Sequence, residues 1–67
     1  MMIVPTWSGC QVKLTRGIVP LAIFDAPCTV QMVVCSPDEK EVVVYMTDGR
    51  VWAYNIHGIR IRTISWN

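Results

Sequence analysis

This chain of 67 residues has too few cysteines, histidines and charges to complete the sites that would give a small domain chemistry. Its three cysteines, Cys10, Cys28 and Cys35, are an odd number and none forms a C-x-x-C pair. The single histidine, His57, is remote from all three in sequence, so a structural zinc site is disfavoured and no metal or cofactor is expected. A lone histidine also leaves no base with an orienting partner for a nucleophile, and Asp25, Asp38 and Asp48 stand in turn-like settings. The chain is therefore not expected to be an enzyme. Gly9, Gly17, Gly49 and Gly58 are isolated, which rules out a glycine-rich phosphate loop. Met1-Met2-Ile3-Val4-Pro5 lacks the basic and long apolar regions of a secretory leader, and no uncharged stretch reaches the ~18 residues of a membrane span. A cytoplasmic protein with reduced thiols and no membrane partner is the expectation. Six basic against five acidic residues give +1, too little for the electrostatic footprint of a general nucleic-acid binder.

What is present is apolar. Hydrophobic residues make up 52% of the chain, yet a domain this short buries only about 60% of the surface its unfolded form exposes. That surplus points to self-association or to a sticky face for another protein. Gly and Pro cut the chain at Ser8-Gly9, Arg16-Gly17, Ala26-Pro27, Ser36-Pro37-Asp38, Asp48-Gly49 and His57-Gly58. The segments between, Cys10–Arg16, Ile18–Phe24, Thr29–Cys35, Glu41–Thr47, Arg50–Ile56 and Ile59–Trp66, are rich in Val, Ile, Thr, Tyr and Trp and read as strands. Pro5 and Pro20 cannot donate to a ladder, so the segments that hold them are edge strands or irregular. Ser36–Lys40 is too short for a helix before the run Val42-Val43-Val44 and reads as a turn. The expectation is one all-β domain over residues 1–67, a small antiparallel meander or open barrel.

Asp48-Gly49 between two β-rich runs is a strong hairpin signal. Taken as a two-residue loop, it pairs Thr47 with Arg50, Tyr45 with Trp52 and Val43 with Tyr54. His57-Gly58, read the same way with His57 tolerating a positive φ, pairs Ile56 with Ile59, Tyr54 with Ile61 and Trp52 with Thr63. One face then carries Val43, Tyr45, Trp52, Tyr54, Ile56, Ile59 and Ile61, with Trp52 buried between Tyr45 and Thr63. The other carries Val42, Val44, Met46, Val51, Ala53, Asn55, Arg60 and Arg62, and the N-terminal strands can cover only one of the two. This makes Arg60, Arg62, Arg50, Trp66 and Met46 the candidate binding residues.

Residues 30 to 64 also resemble one blade of a WD-repeat β-propeller. The likeness rests on the apolar run into Ser36-Pro37-Asp38, the triplet Val42-Val43-Val44, the turn Thr47-Asp48-Gly49, the strand Val51-Trp52-Ala53-Tyr54-Asn55, and Gly58 before Arg62-Thr63-Ile64. Asn55 stands where that family has an acid, the Gly-His opening is absent, and a closed propeller needs several blades. The resemblance implies an antiparallel meander with tight turns and a scaffold role. The functional expectation is a non-catalytic protein–protein interaction module that self-associates, or a small inhibitor or adaptor capping a larger protein. The alternative is a single-stranded nucleic-acid-binding β-barrel, in which Arg50, Trp52, Tyr54, Arg60, Arg62 and Trp66 would stack bases and follow phosphates.

Overall fold

The computed structural model describes residues 2–65. Seven strands run in chain order: β1 (Ile3–Ser8), β2 (Gln11–Arg16), β3 (Val19–Asp25), β4 (Val30–Cys35), β5 (Glu41–Met46), β6 (Val51–Asn55) and β7 (Arg60–Ser65). Sequential neighbours pair antiparallel, β1-β2-β3 in one sheet and β4-β5-β6-β7 in another. The fold is thus all-β, two open meanders, and the proline-bearing strands β1 and β3 are the edges of the first. Ser36–Lys40 is the β4–β5 turn, held by Ser36 and Asp38 side chains bonded to each other at 2.6 Å and to the Glu41 and Lys40 amides.

Where each glycine stands in its loop sets the hairpin. Gly9 and Gly17 open the two-residue loops Gly9-Cys10 and Gly17-Ile18, which are closed by the pairs Ser8–Gln11 and Arg16–Val19. Only the first loop position has positive φ, 60° in both, which is the II′ pattern. The C-terminal hairpins differ from the sequence expectation. Asp48 and His57 do not have positive φ, so neither X-Gly pair can form the I′ loop. The loops are three residues long, Thr47-Asp48-Gly49 and Ile56-His57-Gly58, each ending on a positive-φ glycine, at 93° and 86°. Amide-to-carbonyl bonds from Met46 to Arg50 (2.9 Å) and from Asn55 to Ile59 (2.9 Å) close them.

That extra residue shifts the β5–β6 register by one, and a shift of one turns a strand over. Val42 pairs with Tyr54, Val43 with Ala53, Val44 with Trp52 and Tyr45 with Val51. The face holding Val42, Val44 and Met46 is the buried one, and Val43 and Tyr45 point outward, the reverse of the sequence reading. On β7 the Trp52–Thr63 pair is as expected, but an irregularity between Ala53 and Tyr54 brings Arg60, not Ile61, opposite Tyr54.

The two sheets share one core. Ile3, Val12 and Leu14 from the first meet Val30, Val33, Val42, Val44, Met46 and Tyr54 from the second, with Ala26 of the connecting segment. The radius of gyration, 10.9 Å, equals that of a single compact body of this length, so the sheets are not two separate layers on a linker. The Ala26 and Val30 amides donate to the Cys10 and Gly9 carbonyls (2.8 Å each), tying the connecting segment to the first hairpin loop. At the far side Phe24 of β3 stacks on Tyr54 of β6, ring centroids 4.4 Å apart. The β6–β7 loop lies against that stack, because a Cβ on Gly58 would stand 3.0 Å from Phe24 Cδ1, whereas one on Gly9 would meet nothing within 4 Å.

These two glycines separate backbone strain from collision. Gly9→Ala should cost about 1–3 kcal/mol, for the strained backbone of the first II′ position alone. Gly58→Ala should cost about 2–4 kcal/mol, because crowding of the Phe24–Tyr54 stack is added. Urea midpoints of the two variants check this, and equal losses would contradict the packing of the loop on Phe24.

Candidate functional site

The residues singled out from sequence separate into three places. Met46 is 2% exposed and belongs to the core, so it is not a contact residue; the three-residue loop turned it inward. Trp66 lies outside the described residues. Arg60 and Arg62, expected side by side on one face, fall on opposite faces of β7's sheet, since Arg60 pairs with inward-facing Tyr54 and Arg62 with Ala53, which shares a face with Val43.

Arg60 and Arg50 converge on Trp52. Their guanidinium carbons lie 4.2 and 5.4 Å from the indole centroid. Trp52 is half-buried beside Val44 and Thr63, on the face opposite Tyr45, so it is not the fully buried residue between Tyr45 and Thr63 that the two-residue loop implied. Each arginine is held in place. Arg50 Nε donates to Asp48 Oδ2 at 2.6 Å, and Arg60 Nη2 donates to Thr63 Oγ1 at 3.0 Å. The Arg50 backbone amide, bonded to Asp48 Oδ1 at 3.0 Å, is the main reason the Asp48 carboxyl titrates below the usual range, and the Arg50 side chain adds to it. With the folded pKa lowered, this bond's contribution is present above the unfolded carboxylate range and lost as pH falls through the folded value.

Arg62 stands on the outer face, where its Nη2 and Nη1 reach the two oxygens of Glu41 at 2.6 and 3.1 Å across β6. Around this pair the outer face of the second sheet is apolar: Met32 and Val34 on β4, Val43 and Tyr45 on β5, Val51 and Ala53 on β6. Met32 and Val34 are 42% and 43% exposed. The outer face of the first sheet is different, with Thr6, Lys13, Thr15 and Gln11 interrupting Val4 and Ile23. Sequence reasoning predicted one uncovered face on the C-terminal meander and assigned it the wrong β5 residues. The signal that was there to be read is the Thr47-Asp48-Gly49 triplet, which is also the sequence of a three-residue loop with Gly at the positive-φ position.

Glu39 lies 3.7 Å from Arg16, Asp38 is engaged by Ser36 and Lys40, and His57 is exposed at a loop tip with its amide on Asn55 Oδ1. Burial, with Glu39 and Asp38 adding to it, pushes the Cys35 thiol up, away from the reactive thiolate. Shallow grooves lie on the first sheet, one lined by Thr6, Trp7, Ser8, Gln11 and Lys13 and another by Lys13 and Pro20 to Ile23. Among the described residues no group of three His, Cys, Asp or Glu could hold a metal, and no helix is long and apolar enough to cross a membrane.

Sheet topology and core define a class, small all-β proteins of one three-stranded and one four-stranded antiparallel meander. No protein-family model, curated protein or solved structure matches the chain.

The Trp52 cluster has a measurable strength. A double-mutant cycle with Arg60→Ala and Trp52→Ala should give a coupling of about 0.5–1 kcal/mol, the range for an exposed cation–π contact. A coupling of zero in urea unfolding would mean that Arg60 is solvated and does not rest on the ring.

Proposed function

We propose that this chain is a non-catalytic protein-contact module and that its contact surface is the outer face of the β4–β7 sheet. The observation that carries the reading is that face itself: a sheet side that exposes Met32 and Val34, with Val43, Tyr45 and Val51 half-buried beside them, and whose Glu41–Arg62 ion pair is closed internally. Apolar sheet faces are normally covered, and the chain's own first sheet covers only the inner side. The WD-blade resemblance of residues 30–64 belongs with this reading, since a blade is a four-stranded antiparallel sheet that functions against neighbouring units. A small adaptor or inhibitor seated on a larger protein would use the same face. Three free thiols, Cys10, Cys28 and Cys35, suit a reducing compartment.

Single-stranded nucleic-acid binding has one observation in its favour, that Arg50 and Arg60 both lie at Trp52. Base stacking needs a free ring, however, and here Arg60 rests over Trp52 while Tyr54 is stacked on Phe24 inside the core.

In an affinity capture with the immobilised chain, Val34→Lys should abolish retention of a cellular protein and leave the melting transition within a few degrees, while Thr6→Lys on the first sheet should leave retention intact. The parent should show no micromolar affinity for a single-stranded oligonucleotide at low salt. Salt-sensitive oligonucleotide binding that disappears in Arg50→Ala with Arg60→Ala would replace this reading with the nucleic-acid one.

A further inference from the structure

We infer that the outer face of the β4–β7 sheet is covered by the same face of a second copy of this chain, sheet against sheet and not edge against edge; the inference rests on the protein-contact reading above. Edge pairing is the usual route by which small open sheets associate, because an edge offers a row of free amides and carbonyls. Every edge strand here interrupts that row. β1 carries Pro5, and β3 carries Pro20 beside a register shift at Leu14/Thr15. β4 shifts between Val30 and Met32, and β7 departs from register twice, at Val51/Trp52 and Ala53/Tyr54. Breaks of this kind keep a neighbouring strand from zipping along the edge. A face remains.

Charge selects the occupant. Glu41 and Arg62 neutralise each other at 2.6 Å, so the face presents no net charge to steer or hold a charged partner. A partner bringing a charge would strand it against Met32, Val34 and Val43, and burying an unpaired charge is costly. An identical face brings only its own closed pair and an apolar surface. Two such faces related by a twofold axis meet without an unmatched charge on either side, the self-complementary arrangement that isologous dimers use. Sheets packed in this way sit about 10 Å apart with side chains interdigitated.

Area sets the strength. The chain's accessible surface is 4171 Å². A standard interface takes about 800 Å² from each partner, whereas four strands at roughly 4.8 Å spacing and about five residues long cover only about 300 Å² in projection. The pair is therefore weak and reversible, a dimer of concentrated solution and not an obligate one.

The test is a dilution series of the full chain from about 1 mM to about 10 μM, followed by methyl NMR and by sedimentation equilibrium. Expected are concentration-dependent shifts of the Met32, Val34 and Val43 methyls on one dimerisation curve, little change at Ile18 or Ile23, and at least a tenfold weakening in Met32→Lys and in Val34→Lys. Unchanged amide shifts in the first sheet show that each variant is folded. A monomeric mass at 1 mM with static methyl shifts overturns the inference, as do shifts centred on Ile18, Val19 and Ile23 or on the strand-edge amides. If the parent stays monomeric yet Val34→Lys loses a captured partner, the second-copy inference fails and the contact reading stands. If Val34→Lys changes neither, both fail.

Discussion

Glycine takes a positive φ at little steric cost, and the place of each glycine within its loop fixes the register of the strands that follow. Gly9 and Gly17, first in their loops, close two-residue turns; Gly49 and Gly58, last in theirs, close three-residue turns. Because strand side chains alternate, the length of the Thr47-Asp48-Gly49 loop decides that Val42, Val44 and Met46 go inward and Val43 and Tyr45 outward. The core and the outer face described here follow from that choice. Were the loop one residue shorter, Met46 would be surface and Tyr45 core.

The inner sides of the two meanders are used up on each other. Val12 and Leu14 on one and Val42 and Val44 on the other are fully buried, and the Phe24–Tyr54 stack bridges β3 and β6. None of the described strands lies over the outer side of the β4–β7 sheet, where Met32 and Val34 are 42% and 43% exposed. Polar residues interrupt the other outer side, where Val4 and Ile23 are nonetheless 49% and 60% exposed, and prolines and register shifts interrupt the edges. The arginines mostly serve structure: Arg50 and Arg60 rest on Trp52, and Arg62 closes on Glu41.

Much of the fold was legible in the residues, because alternation, β-branched runs and glycine spacing are local properties. The all-β class, six of the seven strands to within a residue or two and the turn at Ser36–Lys40 could be read, and Pro5 and Pro20 marked their segments as edges or irregular. The first strand, Ile3–Ser8, was readable only as an edge or irregular piece, since Pro5 argues against a ladder that β1 in fact makes with β2. The outer face of the C-terminal meander was half legible. An uncovered apolar side of the C-terminal meander follows from composition, but its β5 residues depended on loop length, and Asp-Gly is compatible with loops of two or three residues. An X-Gly loop needs a positive φ at X to be of the short type, and Asp48 and His57 do not adopt it. The placement of Arg60 over Trp52 came from an irregularity on β7 that no sequence signal announced.

Methionine oxidation reads the β5 register directly, because the structure places Met46 at 2% exposure and Met32 at 42%. Dilute chain, below the concentration at which copies associate, is exposed briefly to hydrogen peroxide and its peptides are weighed. The three-residue loop predicts that Met32 is oxidised at a rate near that of a free methionine while Met46 stays reduced until the protein unfolds. Oxidation of Met46 as fast as Met32 in the folded chain would put Met46 on the surface, restore the two-residue loop, and contradict both the core and the contact face assigned here.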